Sequence, residues 1–201
     1  SALYLAKNGF KVNLYEMKPK KFSDAHKNAN FGELVCSNSL KATDELSASG
    51  LLKKEIELLG SSLLPIAYKT AVPSGGALSV DREKFAEEIT KEIKSNPNIT
   101  IISEIIESFD TSKPTIIAAG PLCDEKLFKY LQLLVGEDNC YFYDAIAPIV
   151  SLDSIDMNYA YWGNRYDKGE TKDYLNCYLT KDEYDVFYKE LVNAKCVELH
   201  N

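Results

Sequence analysis

The stretch Phe31 to Leu40, read as FGELVCSNSL, sets a polarizable thiol, Cys36, directly beside three small polar residues, Ser37, Asn38 and Ser39. A cysteine reacts as its thiolate, and the free N–H groups at the start of a helix favour that form or hold a ligand oxygen. The spacing predicts such a helix start at Cys36, with Ser37 and Asn38 as hydrogen-bonding groups. A lone cysteine between Val35 and a polar turn also reads as a small buried hydrophobe, and Ser37 and Asn38 also read as simple helix caps. The residue types leave these readings open.

Glu16 is the second candidate. It ends the run FKVNLYE (Phe10 to Glu16), which alternates β-branched and aromatic residues. A carboxylate at the end of the second strand of a βαβ unit can accept both hydroxyls of an adenosine ribose. A solvated acid at a strand end is the equal alternative. Gly120 is the third, at the end of TIIAAGP (Thr115 to Pro121). An apolar strand running into glycine lets backbone pass close to a ligand, because no side chain intervenes. Ser74-Gly75-Gly76, in AVPSGGALSVDR (Ala71 to Arg82), reads as a hairpin turn ahead of a phosphate nest. Arg82 faces a phosphate or sits in the first turn of its helix. His26 lies in a polar loop, where an exposed histidine is the default.

These residues need elements to position them. The opening SALYLAKNG reads as a helix already under way that stops at Gly9, so a piece of a longer protein is expected. Helix, glycine, strand and acid make the second half of a dinucleotide-binding βαβ unit. Glu45 to Gly60 reads as a helix with Leu51, Leu52, Ile56 and Leu59 apolar, weakened by Gly50. Ala67 to Val72 and Ala77 to Val80 read as strands around Pro73 to Gly76. Asp81 caps an amphipathic helix with Phe85, Ile89 and Ile93 on one stripe. Strands are expected at Ile99 to Ile102, Ile105 to Phe109 and in TIIAAG, the last of them buried, then a helix from about Asp124 to Val135. After Gly136 the texture turns Tyr- and Asp-rich, and a final helix from Thr180 carries a capping box with Glu183. The fold class expected is α/β: an incomplete Rossmann-like domain over residues 1–143, with a small α+β insertion module over 144–201. In that module Tyr159, Tyr161, Trp162, Arg165, Tyr166 and Lys168 could stack on and pair with RNA; the residues favour the module's own core and rim.

The 201 residues have 45% hydrophobic and 26% charged content and a formal net charge of -7, which gives no support for a whole-surface nucleic-acid binder and requires a local basic patch for any RNA contact. The five cysteines, Cys36, Cys123, Cys140, Cys177 and Cys196, show no C-x-x-C pair, and the only histidines are His26 and His200. No metal site is expected, and reduced thiols in a cytoplasm are the better reading. No apolar run is long enough to cross a membrane, and no signal peptide is visible.

FGELVCSNSL, AVPSGGALSVDR and TIIAAGP, in this order, resemble the FAD- and folate-dependent tRNA (uracil-5-)-methyltransferases, the TrmFO family, and the match covers nearly the whole chain. The resemblance implies an enzyme that forms 5-methyluridine in the T loop of tRNA, with methylenetetrahydrofolate as carbon donor, FAD as cofactor and NADH or NADPH as reductant. It implies that Cys36 lies beside the flavin, in chemistry or in contact, that Glu16 binds the ribose, that Ser37 and Asn38 meet the flavin or its phosphates, and that backbone near Ile106 meets the adenine while Gly120 returns the chain to the cofactor. The cysteine credited as nucleophile on the uracil lies in a later segment of the family pattern, so that role is not transferred to Cys123, Cys140, Cys177 or Cys196. The resemblance also implies that this piece lacks the Gly-rich phosphate loop, and that alone it binds FAD weakly or not at all. The related wobble-uridine modifiers, the MnmG or GidA family, carry Cys-Asn-Pro where this chain has Cys-Ser-Asn-Ser. A non-catalytic RNA- or partner-binding module is the remaining alternative.

Overall fold

A computed structural model describes residues 1–120, 123–136, 150–164 and 171–195. The chain falls into two compact units, Ser1–Pro148 and Ile149–Asn201.

The first unit opens with a short helix, α1 (Ala2–Lys7), which Gly9 ends at φ +85. The chain then enters strand β1 (Val12–Glu16), which pairs in parallel with β5 (Ile99–Ser103) in a register that sets Val12 against Ile99 and Glu16 against Ser103. The Glu16 carbonyl also accepts the Glu104 N–H at 2.9 Å, so the chain beyond β5 leaves alongside Glu16.

Between these strands lies an antiparallel sheet in the order β2 (Ser39–Ala42), β4 (Ala77–Val80), β3 (Ala71–Val72). The β3–β4 hairpin turns at Pro73 to Gly76, where the Ser74 hydroxyl donates to the Ala77 carbonyl at 2.6 Å and Gly75 takes φ +59. This is the hairpin turn expected from Ser-Gly-Gly.

Three helices complete the unit around that sheet. They are α2 (Ala48–Leu58), α3 (Leu63–Lys69) and α4 (Arg82–Ser95), and α5 (Glu125–Val135) follows β5. Asp81 caps α4 by accepting the Lys84 N–H at 3.1 Å, as its sequence position predicts. The core gathers Leu64, Ile66 and Ala67 of α3, Leu78 and Val80 of β4, and Phe85, Ile89 and Ile93 of α4, with Leu14, Ile99 and Ile101 of the parallel pair packed against it. Burying each large side chain of this set stabilises the fold by about 1.5–3 kcal/mol.

Three expectations are corrected. Residues Ala67 to Lys69 are helical rather than strand: Pro65 sits in the first turn of α3, where no intrahelical N–H is needed, and Leu64, Ile66 and Ala67 all face the core. No strand forms over Ile105 to Phe109. The Phe109 carbonyl accepts the Tyr130 hydroxyl at 2.9 Å, and the two rings meet edge to face with centroids 5.3 Å apart, so the segment packs on α5 instead of joining a ladder. TIIAAG is neither strand nor buried: Ile116 and Ile117 are 60% and 45% exposed, and no described strand pairs with the segment. A strand needs a ladder partner for its N–H and C=O groups. Gly50 lies in the first turn of α2, where an added Cβ would strike the Asp44 carbonyl oxygen, so the close approach there needs a glycine.

The second unit holds an antiparallel pair, β6 (Ala160–Gly163) and β7 (Tyr174–Cys177), then α6 (Lys181–Val192). Thr180 and Glu183 form the expected capping box. Tyr159, Tyr161 and Trp162, read as core and rim from the sequence, are exposed among the described residues. Arg165, Tyr166 and Lys168 lie outside the described residues, as do Cys140, Cys196, His200 and Pro121.

Candidate functional site

Glu16 stands at the carboxyl end of β1, on the edge of a parallel strand pair where ligands of open α/β sheets bind. One carboxylate oxygen, Oε1, accepts the Lys18 N–H at 3.0 Å. That bond fixes the carboxylate and leaves Oε2 as an acceptor.

The loop that follows carries two lysines, and each ties a different candidate segment to it. Lys18 is buried, and its ammonium donates to the Asn30 carbonyl at 2.6 Å and pairs with Glu33 Oε2 at 3.4 Å. Glu33 Oε1 in turn accepts the Lys27 N–H at 2.8 Å and the Asn28 amide at 3.2 Å. Glu33 lies three residues ahead of Cys36. Lys21 pairs with Asp124 at 2.6 Å, and Asp124 is the N-cap of α5, four residues past Gly120. The Lys21 ammonium holds the Asp124 carboxyl below the usual carboxylate range, helped by the Lys126 N–H and opposed by burial. The Glu16 loop is thereby linked by side chains to both the Cys36 segment and the segment after Gly120.

His26 is in the same loop, with Nδ1 2.6 Å from the Ser23 hydroxyl. Its pKa is lowered, first by burial and then by the Lys18 charge, against the opposing pull of Glu33 and Glu16. The default exposed histidine of the sequence reading is therefore a half-buried neighbour of the ion pair.

Phe31 and Leu34 pack against the core and anchor the run into Cys36. The Phe31 N–H donates to Thr90 Oγ1 at 2.9 Å, and Gly32, at φ +69, lies so close to Ile89 that an added Cβ would stand 2.6 Å from its Cδ1. Cys36 itself is exposed. It does not begin a helix; it lies in a bend that leads into β2. The segment Ser39–Ala42 after it is a strand that pairs with β4, so the backbone N–H groups of this stretch serve the turn and the sheet.

Four hydrogen bonds hold that bend. Arg82, the first residue of α4, donates from Nη2 to the Cys36 carbonyl at 2.8 Å. The Asn38 amide donates from Nδ2 to the Val80 carbonyl at 2.9 Å, and the Val80 N–H donates to the Asn38 carbonyl at 3.0 Å. Ser37 Oγ accepts the Ser39 N–H at 3.1 Å. Asn38 Nδ2 is thus a structural donor, which leaves its Oδ1 and the Ser37 hydroxyl proton for a ligand. The Arg82 contact escaped sequence reasoning because nothing local signals it: the two residues are far apart in the chain.

Ile106 follows the Glu104 N–H bond to Glu16 by two residues, which puts its backbone just beyond the carboxyl end of the parallel pair. Gly120 has φ +70 and would meet nothing within 4 Å if it carried a Cβ, so its backbone lies open. These features fit a dinucleotide: a carboxylate with a spare acceptor oxygen for ribose hydroxyls, and bare glycine backbone for close approach. Among the described residues no group of three or more His, Cys, Asp or Glu is arranged to hold a metal, and no helix is long and apolar enough to cross a membrane.

Comparison with known proteins bears on the whole chain. It is 51% identical over 201 residues to the methylenetetrahydrofolate–tRNA-(uracil-5-)-methyltransferase TrmFO of Fusobacterium nucleatum, covering 100% of this chain and 46% of that protein. It is 49% identical over 199 residues to the enzyme of the same name from Natranaerobius thermophilus, covering 99% of this chain and 46% of that protein. With the Bacillus pumilus enzyme it shares 50% over 199 residues, 99% of this chain and 45% of that protein. The chain thus spans about half the length of the curated relatives it matches. The sequence profile described as glucose inhibited division protein A matches residues 1–201 without a break, and the chain belongs to that family.

Proposed function

We propose that this chain is part of a methylenetetrahydrofolate–tRNA (uracil-5-)-methyltransferase that forms 5-methyluridine in the tRNA T loop. The observation that carries the reading is the likeness at about 50% identity over all 201 residues to enzymes of that name. In this reading residues 1–143 are most of a Rossmann-like FAD domain and residues 144–201 belong to an insertion module. The protein works in the cytoplasm with NADH or NADPH as reductant.

Each candidate residue then has a task its geometry suits. Glu16 Oε2 accepts ribose hydroxyls while Oε1 stays on the Lys18 N–H. Backbone at Ile106 meets the adenine, and the open backbone at Gly120 passes close to the cofactor. Ser37 offers its hydroxyl proton and Asn38 its Oδ1 to flavin or phosphate oxygens. When bound, the flavin supplies reducing equivalents and takes part in carbon transfer. The exposed Cys36 thiol stands on a bend clamped by Arg82, suited to contact with flavin or base. The exposed rings of Tyr159, Tyr161 and Trp162 suit base stacking.

The test is to incubate the full-length protein that carries this sequence with undermodified tRNA, FAD, reduced pyridine nucleotide and methylenetetrahydrofolate labelled in its one-carbon unit. Label recovered as 5-methyluridine in the T loop is expected. Label at the wobble position, or none in RNA, contradicts the reading.

A further inference from the structure

We propose that the bulged strand following the Cys36 bend is a docking site for the phosphate backbone of RNA, with Lys41 as the contacting cation and Lys53 as the residue that positions it. The proposal rests on the tRNA reading above and deepens it.

Most lysines near this region are neutralised. Lys54 pairs with Glu57, Lys69 with Glu88, and Lys84 with Asp81, at 3.5, 2.6 and 3.1 Å. Three cations around residues 36–42 differ: among the described residues, Lys41, Lys53 and Arg82 have no carboxylate within ion-pair distance. Arg82 is engaged with a neutral group, the Cys36 carbonyl. The Cys36–Lys41 stretch is therefore bracketed by positive charge in a chain whose net charge is -7.

Lys41 is the one non-glycine residue in the described chain at positive φ, +66, and it stands at the register shift between Ser39 and Ala42 in β2. Strain of this kind persists only where surrounding structure imposes it. Lys53 imposes it. Its side chain reaches from α2 under the bulge, buried, and its ammonium donates to the Ala42 carbonyl at 3.0 Å and the Ser49 carbonyl at 3.1 Å. Burial lowers the Lys53 pKa, and the Lys41 charge lowers it further, so the two ammonium groups lie within electrostatic reach. The Lys41 side chain itself is exposed and, among the described residues, makes no hydrogen bond or ion pair.

An exposed, uncompensated cation backed by a buried one suits a polyanion. Lysine binds phosphate as a point charge, without the paired geometry that guanidinium and carboxylate demand. Five residues of chain reach at most about 18 Å, so Lys41 lies within a few nucleotides' length of Cys36.

The test uses the full-length protein and unmodified tRNA, with binding followed by fluorescence anisotropy across salt concentrations. Lys41→Gln is expected to raise Kd about 3- to 10-fold near 0.1 M salt and to make the log Kd against log salt slope shallower by about 1. Lys41→Arg is expected to restore both. Lys41→Gly, which relieves the backbone strain but removes the charge, is expected to bind as weakly as Lys41→Gln. Lys94→Gln, an exposed lysine on α4, is the matched charge control. If Lys41→Gln binds tRNA as Lys94→Gln does, the proposal is overturned. If it leaves tRNA binding intact and raises the KM for methylenetetrahydrofolate, the site belongs to the folate carboxylates and the proposal is also overturned. A wild-type protein that binds tRNA while Lys41→Gln shows no defect sinks this inference alone; a wild-type protein that binds no tRNA sinks the tRNA reading with it.

Discussion

Lys18 and Glu33 form an ion pair at 3.4 Å whose side chains are only 3% and 10% exposed, and it joins the end of β1 to the run that leads into Cys36. Removing one member of a buried pair leaves the other charge uncompensated, which costs about 3–5 kcal/mol. Glu33→Gln is therefore expected to destabilise the first unit by that order. The Lys18→Met, Glu33→Leu double variant is expected to lose less than Glu33→Gln alone. Urea unfolding of the full-length protein measures both. Equal midpoints for wild type and Glu33→Gln would show that the pair does not hold the loop.

Lys21 and Asp124 make the second tie, and it predicts a pH dependence. The Asp124 carboxyl has a lowered pKa, chiefly from the Lys21 ammonium. The folded state therefore binds this proton less readily than the unfolded chain, where an aspartate titrates near 3.9. The stabilisation is present above that pH and is lost as pH falls toward the depressed folded value. Asp124→Asn is expected to lower the thermal midpoint at pH 6 and to leave a smaller difference from wild type at pH 3. A difference that stays constant across that range rules out the linkage.

Glycines in this fold are not interchangeable. A methyl at Gly50 would strike the Asp44 carbonyl oxygen, at 1.8 Å, whereas one at Gly76 would meet nothing within 4 Å, and neither residue has positive φ. Overpacking of this kind costs about 1–3 kcal/mol. Gly50→Ala is expected to lower stability by that order and to loosen the β2 bulge that Lys53 holds from the same helix. Gly76→Ala is expected to change the thermal midpoint little. Scanning calorimetry of the two variants separates them, and a neutral Gly50→Ala would contradict the close approach.

Much of this was legible in the sequence. Asp81, Ser74 to Gly76 and the Thr180–Glu183 box announced their caps and turn because each acts within three or four residues. Phe85, Ile89 and Ile93 declared the buried face of α4 by their spacing. The errors share a cause. Ala67 to Lys69, TIIAAG and Ile105 to Phe109 are short segments rich in apolar residues, and such a segment takes its conformation from whatever it packs against. For Phe109 that was Tyr130, on a helix 21 residues away. The helix start at Cys36 failed for the same reason: small polar residues suit a cap, but pairing with β4 makes the following stretch a strand. The ties from Lys18 to Glu33, Lys21 to Asp124 and Arg82 to Cys36 were invisible because charges carry no local signal of their partner. Their geometry emerges only when the core sets the separate segments side by side.

The central claim is that the segments bearing Glu16, Cys36 and Gly120 surround one flavin. The most direct measurement is the alkylation rate of Cys36 in the full-length protein, followed by peptide mass spectrometry with and without FAD. Cys36 is an exposed residue. Bound FAD is expected to slow its modification at least tenfold, and Glu16→Gln is expected to raise the FAD concentration needed for that protection. A Cys36 that reacts at the same rate in the FAD-loaded and FAD-free protein would contradict the account.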